Sequence, residues 1–115
     1  MQRPKRRSKR AMSLPSMSYI TDNYADNGLR VSAIAQSIGA SEGHLSHVFK
    51  KETDYTMLEY ISQYRMHMAM RLLKDCRTRV YEAANRVGYK DITCFSSSFK
   101  KMVGVTPSEY QDRCS

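Results

Sequence analysis

The sequence predicts an all-α fold of seven helices, and three observations carry that prediction. Apolar residues recur at three- and four-residue spacings through most of the 115 residues, as the buried stripe of a helix requires. Two tetrads, Thr56-Met57-Leu58-Glu59 and Thr106-Pro107-Ser108-Glu109, are capping boxes: the hydroxyl accepts from the N3 amide while the carboxylate accepts from the cap amide. No alternating run bounded by turn pairs suggests a strand.

The elements follow in order. Residues 1–15 are basic and polar, are broken by Pro4 and Pro15, and read as a disordered tail. The first helix carries Met17, Ile20 and Tyr24 and stops at Asn27-Gly28. The second carries Val31, Ile34, Ala35 and Ile38, with Gly39 as its stop. Ser41 caps a third, whose apolar face is Leu45, Val48 and Phe49. Thr56 opens the longest, at about residues 57–75, with Leu58, Ile61, Met68 and Leu72 on one side. At ~1.5 Å per residue it is roughly 28 Å long. Val80, Ala84 and Val87 mark a fifth helix, stopped by Gly88. Asp91 caps a sixth with Phe95, Phe99 and Met102, ending at Gly104. Pro107 stands at N1 of the seventh, where its missing N–H costs nothing. The expected core is Leu45, Phe49, Tyr60, Met68, Leu72, Phe95, Phe99 and Tyr110, with Cys94 as a small buried or half-buried residue.

Composition narrows the function classes. Hydrophobic residues make up 41% of the chain, enough for one modest core. Apolar runs are too short to span a membrane, and the opening MQRPKRRSKR is no secretory signal. Three scattered cysteines (Cys76, Cys94, Cys114) make neither a disulfide framework nor a zinc site, which points to a reduced, cytoplasmic setting. The net charge is +8, but Arg3, Lys5, Arg6, Arg7, Lys9 and Arg10 supply +6 of it within the first ten residues. The remaining 13 basic and 11 acidic groups nearly balance. The tail reads as a linker, with a phosphate-binding arm as the alternative. An argument for nucleic acid must therefore come from pattern after the tail.

That pattern is an internal repeat. Val31, Ala35 and Gly39 match Val80, Ala84 and Gly88 at an offset of 49. Ser46, Phe49, Lys50, Lys51, Thr56, Glu59 and Tyr60 match Ser96, Phe99, Lys100, Lys101, Thr106, Glu109 and Tyr110 at an offset of 50. Each copy reads as a short helix, a Gly-containing turn, a capped helix, Phe-Lys-Lys and another capped helix, which is a helix-turn-helix. The second helix of each copy has a small polar outer face. In the first copy it is Glu42, Gly43, Ser46, His47 and Lys50; in the second, Ile92, Thr93, Ser96, Ser97 and Lys100. Short side chains there let the backbone approach base edges in the major groove.

The stretch Val87–Tyr110, VGYKDITCFSSSFKKMVGVTPSEY, resembles the signature of the AraC/XylS family of bacterial transcription regulators. Ala35–Ser41 and Leu45–Lys51 resemble that family's first helix-turn-helix. Glu59-Tyr60-Ile61, Arg65-Met66, Ala69 and Leu72-Leu73 resemble its linker helix. The resemblance implies a DNA-binding domain at residues 16–113, with helix-turn-helix units at about 31–53 and 80–103 and a linker helix at about 57–75. It implies double-stranded DNA and RNA polymerase as partners and no cofactor, and makes the chain either a stand-alone small regulator or the C-terminal piece of a longer one with a sensor or receiver domain upstream. A ~28 Å linker suits two recognition helices about one DNA turn, ~34 Å, apart. Departures are Asp54 where a turn Gly is usual, Arg30 where a Ser or Thr cap is usual, Ala83 for a larger aliphatic, and Gly43 in the exposed part of the first recognition helix.

The residues expected to contact bases are Glu42, Gly43, Ser46 and His47, together with Ile92, Thr93, Ser96 and Ser97. His47 can donate or accept toward a purine edge, and Ile92 suits a thymine methyl. Lys50, Lys51, Lys100 and Lys101 are the expected phosphate contacts. His44 and His47 are spaced for a metal, but nothing nearby completes a ligand set. No nucleophile–base arrangement or phosphate loop suggests an enzyme. The rival reading is a helical protein-interaction module.

Overall fold

The computed structural model describes residues 13–114, and among these every regular element is helical. Seven helices follow one another: α1 (Ser13–Asn23), α2 (Val31–Ile38), α3 (Glu42–Thr53), α4 (Met57–Leu73), α5 (Val80–Arg86), α6 (Ile92–Val103) and α7 (Pro107–Cys114). The chain divides into two compact units, one of residues 13–23 and 29–61, the other of residues 24–28 and 62–114.

In the first unit, α1, α2, α3 and the start of α4 enclose Ile20, Ile34, Ala35, Leu45, Phe49, Met57 and Ile61. Tyr60 packs edge-on against Phe49, with ring centroids 5.8 Å apart. The Ser13 N–H donates to Glu52 Oε1 at 3.1 Å, fixing the start of α1 to the end of α3. Residues 13–15 are therefore helical, not part of a tail. Pro15 is tolerated because the first turn of a helix has no carbonyl to offer its missing N–H. The rest of the expected tail, with its six basic residues, lies outside the described residues.

In the second unit the core is Met66, Ala69, Leu73, Ala83, Ala84, Val87, Phe95 and Phe99. A chain of rings, Tyr89–Phe95–Phe99–Tyr110, runs through it at centroid separations of 5.5–5.8 Å. The half-buried Arg65 donates from Nε to the Tyr24 carbonyl and from Nη2 to the Asp26 carbonyl, both at 2.9 Å. Its guanidinium also lies 5.6 Å from the Tyr89 ring centroid. Burial pulls its pKa down from the ordinary arginine value. Gln111 Nε2 ties α7 to the carbonyls of Asp75 and Thr78.

Several core assignments shift. Met57 and Ile61 are buried in the first core, while Met66, Ala69 and Leu73 are buried in the second. The step from Ile61 to Met66 is five residues, so the buried stripe of α4 changes face at mid-helix. A single stripe was expected, and that is why Leu58 is in fact 64% exposed and Met68 and Leu72 are only half-buried. Met102 and Cys94 are exposed, because the narrow buried seam of α6 is already filled by Phe95 and Phe99. Tyr60 and Tyr110 pack at the edges of their cores, not within them. Tyr24 falls beyond the end of α1, its carbonyl turned to Arg65. No helix among the described residues is long and apolar enough to cross a membrane.

Candidate nucleic-acid interface

Each unit presents one helix-turn-helix. In the first, α2 closes at Gly39, which takes φ 82° and returns its N–H to the Ala35 and Gln36 carbonyls. Ser41 then starts α3, its Oγ accepting from the His44 N–H at 3.2 Å. Asp54 ends α3 at φ 70°, the left-handed turn expected at the position where glycine is usual. In the second unit Gly88 (φ 96°) makes the turn, Asp91 Oδ1 accepts from the Thr93 N–H at 2.8 Å, and Gly104 (φ 97°) ends α6. Both capping boxes form in full. Thr56 and Glu59 exchange bonds of 2.8 and 3.0 Å, and Thr106 and Glu109 bonds of 2.9 and 3.2 Å.

The repeat extends from sequence to exposure. Residues 41–50 and 91–100 follow the same order of buried, half-buried and exposed positions, residue for residue. Leu45 and Phe49 in α3, and Phe95 and Phe99 in α6, are the buried anchors. On the solvent side of α3, running from beside the anchors round to the far face, Glu42, Gly43, His47 and Lys50 are exposed and Ser46 is half-buried. On α6, Ile92, Thr93, Ser97 and Lys100 are exposed and Ser96 is half-buried. At about 100° per residue each set falls within one arc of about 140°. The geometry thus gathers each group of expected base contacts on one helix face. Lys51 and Lys101 are also exposed, but lie just outside that arc, beside His47 and Ser97.

The surface of these faces is polar, cationic and light in acid; Glu42 is the one carboxylate among the named positions. Ile92 is 44% exposed, an apolar side chain standing free on the second face. His44 and His47 are exposed, and among the described residues no cluster of three or more His, Cys, Asp or Glu could hold a metal ion. Sequence reasoning placed Arg65 in the linker helix but missed its grip on the Tyr24 and Asp26 carbonyls. Its partners are backbone carbonyls in a turn, which leave no residue pattern to find.

A family model described as a helix-turn-helix domain matches residues 34–113. Over 96 residues the chain is 32% identical to the arabinose operon regulatory protein of Escherichia coli K12, an alignment covering 84% of this chain and 33% of that protein. The chain belongs to the AraC/XylS family. It carries the DNA-binding domain of a transcription regulator of that family. The C-terminal domain of the two-component response regulator yesN from Fusobacterium nucleatum has the same AraC-type fold, with a TM-score of 0.80 at 32% identity, covering 84% of this chain and 93% of that one. The C-terminal domain of AraT, a response regulator from Geobacillus stearothermophilus, matches with a TM-score of 0.85 at 28% identity, covering 89% and 84% of the two chains. The chain spans about a third or less of the length of the curated relatives it matches.

Proposed function

We propose that this AraC-type domain binds duplex DNA as a monomer, with α3 and α6 entering successive major grooves of an asymmetric site. The observation that carries the reading is the duplicated exposure pattern of α3 and α6, each a buried two-residue anchor flanked by a small, mostly polar exposed face. Ser46 and His47 on α3, and Thr93, Ser96 and Ser97 on α6, read base edges, and Ile92 meets a thymine methyl. Glu42 and Gly43 line the same face, where Gly43 admits close backbone approach. Lys50, Lys51, Lys100 and Lys101 grip phosphates and set affinity without selecting sequence.

The domain acts by binding and not by catalysis, in the cytoplasm, and RNA polymerase is its partner at the promoter. The rest of a longer chain supplies a sensor or receiver domain, in keeping with the response regulators whose C-terminal domains share this fold.

The test is selection of bound duplexes from a random pool, followed by salt titration of the winner. Lys50→Ala and Lys101→Ala should each flatten the plot of log affinity against log salt by about 0.9 and leave the selected sequence unchanged. His47→Ala should relax preference at one half-site by about 1–3 kcal/mol. A pool that yields no enriched sequence would overturn the reading in favour of a protein-interaction module.

A further inference from the structure

The offset of 49 that aligns Val31 with Val80 also aligns Arg30 with Arg79. Each arginine immediately precedes the first helix of its helix-turn-helix, in extended backbone: φ −129°, ψ 151° at Arg30 and φ −79°, ψ 150° at Arg79. Both are exposed. A Ser, Thr, Asp or Asn side chain at such a position accepts a hydrogen bond from the first turn. A guanidinium has five donors and no acceptor, so neither arginine can do this. α2 accordingly starts without a side-chain cap. α5 keeps only half a capping box, Glu82 Oε1 accepting from the Arg79 N–H at 2.9 Å.

Neither guanidinium binds a carboxylate or carbonyl among the described residues. Arg77, two residues before Arg79, shows the contrast: its Nε and Nη2 reach Asp75 Oδ1 and Oδ2 at 3.1 and 3.2 Å. The chain therefore forgoes a side-chain N-cap at the same place in both copies and sets there a long cation with no partner among the described residues. A local rule broken twice in register, with no partner for either guanidinium among the described residues, marks a functional position.

We infer that Arg30 and Arg79 are phosphate-gripping residues, one per unit, clamping the DNA backbone at the rim of the groove that α3 or α6 enters. The inference rests on the DNA-binding reading above. In a helix-turn-helix the first helix crosses the backbone while the second enters the groove. α2 has eight residues, about 12 Å, which matches the ~12 Å width of the major groove. The Gly39 turn holds its far end at the start of α3, so Arg30 stands about one groove width away, where the sugar–phosphate edge runs. α5 and the Gly88 turn repeat the arrangement for Arg79. The planar fork of arginine pairs with phosphate oxygens in bidentate fashion, which a lysine cannot match.

The experiment is salt titration of the whole chain with two duplexes, one selected by the parent and one of scrambled sequence, alongside thermal unfolding. Arg30→Ser and Arg79→Ser should each flatten the salt slope by about 0.9, and the double variant by about 1.8, on both duplexes. The selected sequence should not change. Each serine should also raise Tm by a few degrees, because it restores the missing cap. Arg30→Lys should keep most of the slope without the gain in Tm, and Arg77→Ser should leave the slope as it is. Opposite signs in binding and stability are the signature of a residue kept for DNA. Salt slopes for both serine variants equal to the parent's would overturn the inference while leaving the DNA reading intact; weaker binding accompanied by a lower Tm would overturn it in favour of a structural role. A parent that binds neither duplex would bring down the DNA reading, and this inference with it.

Discussion

The two helix-turn-helix units share one burial register but are built to different tolerances. In the second, the Gly88 turn is pressed against backbone: a Cβ placed there would lie 2.7 Å from the Tyr24 carbonyl oxygen, 3.2 Å from the Ala25 carbonyl oxygen and 3.2 Å from Arg65 Nε. In the first, a Cβ on Gly39 would meet nothing within 4 Å. The first unit also ends its recognition helix on a left-handed Asp54, where the second uses Gly104, and carries Gly43 inside α3, where the second has Thr93. The same tertiary pattern is thus reached from a tightly fitted turn in one copy and from a looser, locally compromised sequence in the other. Topology is set by the anchors Leu45, Phe49, Phe95 and Phe99, and turn chemistry adjusts local stability around them.

The largest expected contrast comes from the paired turn glycines. Gly39→Ala should cost about 1–2 kcal/mol, the ordinary strain of a left-handed alanine. Gly88→Ala adds a clash with backbone that cannot rotate away, and should cost about 3 kcal/mol or more. It should also loosen the segment that Arg65 holds through the Tyr24 and Asp26 carbonyls. Urea denaturation of the two variants checks this, and equal losses would show that the close approach at Gly88 carries no energy.

Most of this fold was legible in the sequence because its signals are local. Capping boxes, glycine stops and the spacing of Leu45 to Phe49 and Phe95 to Phe99 are each satisfied within a turn or two of helix. The exposed faces of α3 and α6 were legible for the same reason, since helical periodicity alone turns Gly43, His47 and Lys50, and their counterparts in α6, away from the buried anchors. What escaped was set by tertiary partners. The mid-helix change of face in α4, which exposes Leu58 and buries Met66, depends on which core each end serves. The grip of Arg65 on two carbonyls depends on a turn about forty residues away in sequence, and the crowding at Gly88 depends on that same turn, farther still along the chain. The helical start at Ser13 depends on Glu52, whose carboxylate binds the Ser13 N–H.

A smaller effect should come from repairing the first unit. Gly43 is exposed and helical, and a Cβ there would enter open space, so Gly43→Ala should stabilise the chain by about 1 kcal/mol. Asp54→Gly removes the strain at φ 70° and should add about 0.5 kcal/mol, while the mirror change Gly104→Asp should subtract a similar amount. Thermal unfolding reads all three. If Gly43→Ala stabilises the fold yet weakens DNA binding, the glycine is retained for close approach to the groove and not for want of a better helix former.

The smallest effect is the one in which the two units should agree. The Glu59 carboxyl is held below the ordinary glutamate range, first by the Thr56 backbone N–H and further by Lys50 and the Thr56 hydroxyl. Glu109 is lowered in the same way, first by the Thr106 backbone N–H, and with Lys100 and Arg113 as neighbouring cations. A carboxyl with a depressed pKa in the folded chain stabilises the fold above the unfolded value of about 4.3, and that contribution is lost as pH falls through the lower folded value. Glutamine can still accept from the cap amide but carries no charge. Glu59→Gln and Glu109→Gln should therefore be less stable than the parent at pH 7, and the gap should close as the solution is acidified below pH ~4. Glu109 has one more cation beside it, so its gap should shrink more on adding salt. A gap that persists unchanged in acid would mean that the carboxylates act through shape alone, and the two capping boxes would then owe nothing to charge.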